Sequence, residues 1–276
     1  MKTPSVNNIH AREKSFHDKW AQDALVEDLL VNESFQAITA PENRFILGKM
    51  GDLKNKRLLD IGTGLGESAV FFALQGAKVT AIDISASMID CALRLAAHFG
   101  VEIEAIASHA EALVVKSNRY DCVYMANVIH HTTDKQRLFH EVYRVLKPGG
   151  SFFAWDPLAY NPIINIYRRM ATRMRTTDER PLTYRDIEII KKYFPALAHR
   201  EFWITSLALF LKYYIVNRIH PNDQRYWKRI LKEDRDSLWW WLPLYYLDGV
   251  LTRLPGIRFL AWNIVLWGYK TDEQNF

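Results

Sequence analysis

Between residues 58 and 156, short apolar runs alternate with amphipathic stretches. Leu58-Leu59-Asp60-Ile61 reads as a strand, and Gly62-Thr63-Gly64-Leu65-Gly66-Glu67 as a tight turn into a helix. Residues 78–83 form a second strand ending in a carboxylate, Asp83. A helical stretch over 86–99 follows, with Met88, Ile89, Ala92, Leu93 and Ala96 on one face and Gly100 as its stop. Residues 101–107 predict a third strand, and 120–131 a fourth that enters a polar loop. A helix begins near Asp134, and the turn at 144–150 leads into a fifth strand over 151–156. Strands alternating with helices predict an α/β fold: a mostly parallel sheet with helices on both faces and a ligand at the carboxyl ends of the strands.

The pattern changes after residue 156. Helices are expected over 163–174 and 184–194, a sixth strand over 198–205, and a last strand over 259–269. Residues 206–256 are surplus to this alternation and unusually aromatic, with Tyr213-Tyr214 and Trp239-Trp240-Trp241. At the other end, Glu13-Lys14-Ser15-Phe16-His17-Asp18-Lys19-Trp20 begins a helical segment that runs with gaps to about residue 30. The divisions are therefore 1–45, helical; 46–205, core; 206–256, insertion; and 257–276, last strand and tail.

The glycine turn carries the first chemistry. One glycine allows the sharp turn, the next lets a ligand approach the backbone, and the third lets the helix start close to the sheet. Asp83 is placed to accept hydrogen bonds from a ribose, so a nucleoside-containing cofactor is expected. A dinucleotide fingerprint is Gly-x-Gly-x-x-Gly; here the third glycine, Gly66, comes one residue early, and Glu67 at the next position would repel a pyrophosphate. Asp60-Ile61-Gly62-Thr63-Gly64-Leu65-Gly66, with Leu146-Lys147-Pro148-Gly149-Gly150 before the fifth strand, resembles instead the class I S-adenosylmethionine-dependent methyltransferases of small molecules. The resemblance spans about residues 55–157. It implies a Rossmann-like sheet of seven strands, the last pairing antiparallel in the edge region, and S-adenosylmethionine as cofactor.

The same resemblance implies site residues. Asp83 should hold the ribose hydroxyls and Ile84 pack on the adenine. Gly62 and Gly64 should pass under the aminoacyl part, with backbone groups there and at Ala126 or Asn127 meeting the ammonium, and Thr63 and Gly66 join the cofactor set. Asp60 should organise the loop, and Met88 joins the cofactor set. The family's aspartate at the adenine amino group is replaced here by His109, leaving the amide of Ala110 to meet the ring. Relatives often carry a histidine at the position of His131, which with His130 stands where the methyl group should emerge. An acceptor oxygen or nitrogen must lose a proton, and histidine suits that task. Asp156 and Tyr160 are candidates for gripping the acceptor. Segments like that at the N-terminus fold over the cofactor in this superfamily as a lid, which makes His17 a further candidate; a helix on the outside of the core is the alternative.

Composition adds little. The 276-residue chain has a net charge of +5, which permits anionic partners without demanding them. Cys91 and Cys122 both fall in expected core elements, so neither a disulfide framework nor a metal site is expected. Residues 1–14 lack an apolar signal core, and a reduced, cytoplasmic setting is the default. No RNA-binding module, base-flipping motif or zinc spacing is present, so no nucleic acid partner is expected.

Three readings of 206–256 stay open. Its aromatic residues could form an extra core layer, line an apolar substrate pocket, or meet a membrane surface beside Arg218, Arg225, Lys228, Arg229 and Lys232. No apolar run reaches the roughly 18–20 residues of a membrane span. The arginines 168, 169, 173, 175, 180 and 185 are either a solvated face or, as for Arg168, contacts to a carboxylate or phosphate of the substrate. The expected activity is methyl transfer to an O, or N or C, atom of a small amphipathic molecule. The alternatives are a membrane-surface lipid or quinone-type methyltransferase and a non-catalytic cofactor-binding partner. The acceptor and the oligomeric state are not legible.

Overall fold

The computed structural model describes residues 6–271 apart from 177, 234 and 235. The outermost positions of the expected N-terminal and C-terminal divisions lie outside the described residues.

In chain order the elements are α1 (Val6–Gln22), α2 (Glu33–Gln36), α3 (Pro41–Met50), β1 (Arg57–Ile61), α4 (Glu67–Leu74), β2 (Lys78–Asp83), α5 (Ala86–His98), β3 (Glu104–Ala107), β4 (Tyr120–Ala126), α6 (Lys135–Val145) and β5 (Leu146–Pro157). Then follow α7 (Pro162–Met170), α8 (Tyr184–Tyr193), β6 (Ala198–Phe202), α9 (Ala208–Leu211), α10 (Tyr226–Arg229), α11 (Leu242–Leu251) and β7 (Asn263–Tyr269). The strands form one seven-stranded sheet in the order β3-β2-β1-β4-β5-β7-β6. The first five are parallel, and β7 runs antiparallel to both neighbours. The order reverses between β1 and β4, so the chain leaves these two strands in opposite directions and opens a cleft at their carboxyl ends.

Strand periodicity divides the core. Leu58, Cys122 and Tyr124 face one layer, while Leu59, Ile61, Val123 and Met125 face the other. The interior of the 206–256 segment joins the first layer through Phe210, Tyr213, Tyr226, Ile230 and Trp241. Asp248 on α11 fixes this segment to the sheet by accepting the backbone N–H groups of Ile204, Thr205 and Ser206. The core-layer reading therefore holds for the inner half of the insertion.

Several expected boundaries move. The third strand begins at Glu104, not 101, because the N–H of Val101 still donates to Ala96 in the end of α5 (3.0 Å). Leu93, expected on the buried face of α5, points outward. The helix expected over 163–174 stops at Met170, and the side chain of Asn222 then takes the N–H of Arg173 (2.8 Å). β6 ends at Phe202, where Trp203 adopts a left-handed backbone (φ 69°). The last strand starts at Asn263, since Ile257–Leu260 coil into a 3-10 turn. It also lies inside the sheet, covered on both faces, and β6 forms the edge.

Candidate active site

One cavity opens at the carboxyl ends of β1, β2 and β4. It is lined by the glycine loop, the ends of β2 and β3, the loop after β4, α1, α7 and the region around Trp227.

The cofactor side is made by backbone. Gly62 sits at φ 71°, and a Cβ there would come 2.3 Å from the Cγ2 of Val128, so this position must be glycine for the two loops to close on each other. Gly64 faces open space: a Cβ there would meet nothing within 4 Å. Asp83 accepts the N–H groups of Gly64 (2.9 Å) and Ser85 (3.0 Å), which leaves carboxylate lone pairs for a further donor. Ile84, Thr63, His109, Ala110 and Asn127 line the same wall. Asn127 holds a left-handed conformation (φ 57°) and donates its N–H to Trp155. The ring of His109 lies 4.8 Å from that of His10, and burial with the neighbouring His10 charge holds its pKa below the ordinary value.

Three residues of the expected cofactor set do not line the cavity. Asp60 is buried beneath the loop, where Thr63 (2.7 Å) and Ser68 (2.6 Å) donate to it; burial pushes its pKa up to about 6. That is the organising role expected of it. Gly66 packs instead against α5, where a Cβ would meet the Ala92 backbone at 2.6 Å; the third glycine serves helix–helix contact. Met88 is fully buried with Ala21, Leu65 and Cys91, because the N–H of Met88 bonds the Ser85 cap and turns the side chain under α1.

The acceptor side is made by side chains from distant segments. Asp156, expected to grip the acceptor, is 0% exposed and cannot reach it. It accepts the N–H groups of Val128, Ile129 and His130 and lies 2.5 Å from His130 Nδ1, so it shapes the loop after β4. His130 also lines the cavity, yet burial and the adjacent His131 hold its pKa below the ordinary value. His131 faces the cavity with Nδ1 3.0 Å from Glu13 Oε2. Burial works against its charged form, but Glu13 and Glu179 outweigh burial and raise its pKa. Burial alone would raise Glu13, and the rings of His131 and His17 beside it hold the carboxyl well below the carboxylate range. His17 lines the cavity, its ring 5.7 Å from that of His131. Arg168 lines it from α7. Tyr160 does not: its hydroxyl accepts the N–H of Tyr184 (3.1 Å) and its ring stacks on Tyr184, away from the cavity.

Four participants escaped the sequence reading. Glu13 lies four residues before His17 on one face of α1, a spacing that could have marked them as a pair. Glu179, paired with Arg175, stands in a loop without periodic signal. Arg225 lies over Trp20 (4.0 Å to the ring centroid), and Trp227 packs edge-on against Trp20 (5.9 Å), so the N-terminal helix and the insertion meet above the cavity. Lys228 also reaches Glu67 beside the glycine loop (3.0 Å), and Ser85 donates to Asp18 on α1 (2.5 Å). Glu13, His17 and His131 also bring donor atoms within 4.8 Å of one another, a set that could hold a metal ion and was not expected.

The sheet order, the glycine loop and the acidic ribose position are those of the class I methyltransferase fold. Residues 59–154 match the family model described as a methyltransferase domain. A ubiquinone/menaquinone biosynthesis C-methyltransferase of Haemophilus ducreyi is 32% identical over 160 residues, covering 55% of this chain and 60% of that protein. The chain thus spans little more than half the length of such curated relatives. A putative sarcosine dimethylglycine methyltransferase from Galdieria sulphuraria shares the fold with a TM-score of 0.57 at 18% identity, over 96% of this chain and 99% of that one. A Haemonchus contortus phosphoethanolamine N-methyltransferase in complex with S-adenosyl-L-methionine gives 0.57 at 20% identity, over 93% and 60%.

S-adenosylmethionine is the cofactor of this class, and the residues present fit it. The open backbone at Gly64 leaves room beside Asp83, whose carboxylate suits a cationic ligand rather than a pyrophosphate.

Proposed function

We propose that this protein transfers a methyl group to an oxygen, or to a nitrogen or carbon, of a small amphipathic molecule. The observation that carries the reading is the continuity of one cavity from Asp83 and the glycine loop to the His131–Glu13 pair. When bound, S-adenosylmethionine supplies a methyl group already activated on a sulfonium. Asp83 and Ile84 hold the nucleoside end, and Gly62 to Gly64 bring backbone against the aminoacyl end. Alignment of the acceptor then supplies most of the acceleration. His131 accepts the acceptor's proton, and Glu13 stabilises the resulting charged ring. His130, through Asp156, fixes the loop that presents His131.

A second observation favours action at a membrane surface, with a lipid or quinone-type acceptor such as the names of the curated relatives print. Val216 (71% exposed), Trp239 (75%) and Tyr246 (68%) are turned outward on the insertion, as is the cation Arg218, while half-buried Lys212 pairs with Glu233 (3.8 Å). Lys212 lies over the ring of Trp240 (5.6 Å), which links the two segments. Aromatic residues flanked by cations suit the headgroup layer of an anionic bilayer. Among the described residues no helix is long and apolar enough to cross a membrane.

The test is incubation with methyl-labelled S-adenosylmethionine, anionic vesicles and a mixed extract of polar lipids, quinols and phenolic acids. Label should pass to the organic phase with wild type and not with His131→Ala. Cofactor binding with no transfer to any fraction would instead support the non-catalytic partner reading.

A further inference from the structure

Pairing off the cations around the cavity leaves two arginines over. Arg175 is met by Glu179, Lys228 by Glu67, and His131 by Glu13. Arg168 and Arg225 line the same cavity, and neither has an ion-pair partner among the described residues. Arg168 spends one nitrogen on long contacts to the Leu158 carbonyl and the Asn165 side chain, both 3.3 Å, and its other donors are unused. Arg225 lies over the face of Trp20, with Asp23 acting on it from beyond ion-pair distance.

These cations share one pole of the cavity. Arg175 acts on Arg168, and Tyr167 feels both Arg175 and Arg225. Burial, with the Arg175 charge, brings the Arg168 pKa down to about 10. Glu179, the partner of Arg175, also acts on Arg168. Both arginines are half-buried; leaving cations partly withdrawn from water and unpaired is costly, and the cost falls when an anion enters. Ile164, Trp155 and Trp262 supply an apolar wall beside the arginines.

We propose that this pole binds an anionic group, a carboxylate or a phosphate, carried by the methyl acceptor. The acceptor is then an amphipathic acid rather than a neutral lipid. The guanidinium fork matches either group through paired N–H donors, and the apolar wall takes the rest of the molecule. The inference rests on the methyltransferase reading above. The same anion chemistry has a second source, the carboxylate of the cofactor itself, and the experiment separates the two.

Protein saturated with S-adenosylhomocysteine, which carries that carboxylate, is titrated calorimetrically with decyl phosphate, decanoate and decanol below their aggregation limits. The anionic probes should bind at least about tenfold more tightly than decanol. Arg168→Gln should erase that margin while S-adenosylhomocysteine affinity stays within about twofold of wild type. Arg168→Lys should keep part of it. Equal binding of all three probes, or an unchanged margin in Arg168→Gln, overturns the proposal. So does a loss confined to S-adenosylhomocysteine affinity in Arg168→Gln or Arg225→Gln, which would assign the anion to the cofactor. If Arg168→Gln does not melt cooperatively, Arg168→Lys and Arg225→Gln decide on the same criteria. Failure of wild type to bind S-adenosylhomocysteine at all is a different result, and it removes the methyltransferase reading first.

Discussion

The two walls of the cavity are built by different means. On the cofactor side, Gly62 to Gly64, Asp83 and Ser108 to Ala110 follow neighbouring parallel strands, and sheet register alone brings them together. On the acceptor side, Glu13, His131, Arg168, Glu179 and Arg225 come from separate segments joined by ion pairs and stacked rings. A backbone wall holds one ligand under many side-chain sequences, whereas a side-chain wall can change with the acceptor. The walls should therefore fail separately.

The largest effect is expected on the acceptor side. His131→Ala should lower turnover by about 100- to 10,000-fold while cofactor affinity, read by calorimetry, stays within about twofold. A matching fall in affinity would break the division between the walls. The pair also sets a pH dependence. The pKa of His131 is raised, so turnover should rise with pH through that value as the ring becomes able to accept a proton. Glu13→Gln should move this limb to lower pH. The sign for stability is opposite: the pair's contribution is full below the unfolded histidine pKa of about 6.5 and is lost as pH rises through the folded value. Urea melts across pH check it.

Next in size is the cofactor wall's scaffold. Gly66→Ala forces a Cβ against the Ala92 backbone at φ 95° and should cost about 2–3 kcal/mol in urea unfolding. A loss near zero would mean that the loop does not pack on α5 in this way. Asp83→Ala should weaken cofactor binding by about 10- to 100-fold, leaving turnover at saturating cofactor nearly unchanged. An equal fall in saturated turnover would tie the two walls together. The smallest effect lies on the exposed face: Trp239→Ser with Tyr246→Ser should change stability by less than about 0.5 kcal/mol yet abolish co-sedimentation with anionic vesicles. Retained sedimentation would remove the membrane surface.

The same contrast explains what was legible beforehand. Gly62, Gly64 and Asp83 are read from short motifs because turn geometry and strand ends are local properties. The five parallel strands were legible for the same reason, through the regular alternation from Leu58 to Asp156, and the seven-stranded class I sheet was implied by the motif resemblance. Contacts across long separations were not. Thr176 donates to Glu13, 163 residues away, and no periodicity in either segment announces it. Asp156 looked like an acceptor ligand because it ends β5, and only the folding back of residues 128–130 onto its carboxylate buries it. The basic cluster divides in a way composition cannot show: Arg168 and Arg175 enter the cavity, and Arg169, Arg173, Arg180 and Arg185 face solvent. In the insertion the same aromatic residue types serve core, cavity and surface, as Trp241, Trp227 and Trp239 show.

Calorimetric titration of S-adenosylmethionine into wild type and Asp83→Ala tests the central claim most directly, because it does not depend on knowing the acceptor. One site per chain is predicted, with an affinity within the roughly 1 μM–1 mM range common to enzyme substrates and clearly weakened in the variant. No binding to folded wild-type protein in that range, or equal binding by both proteins, would contradict it.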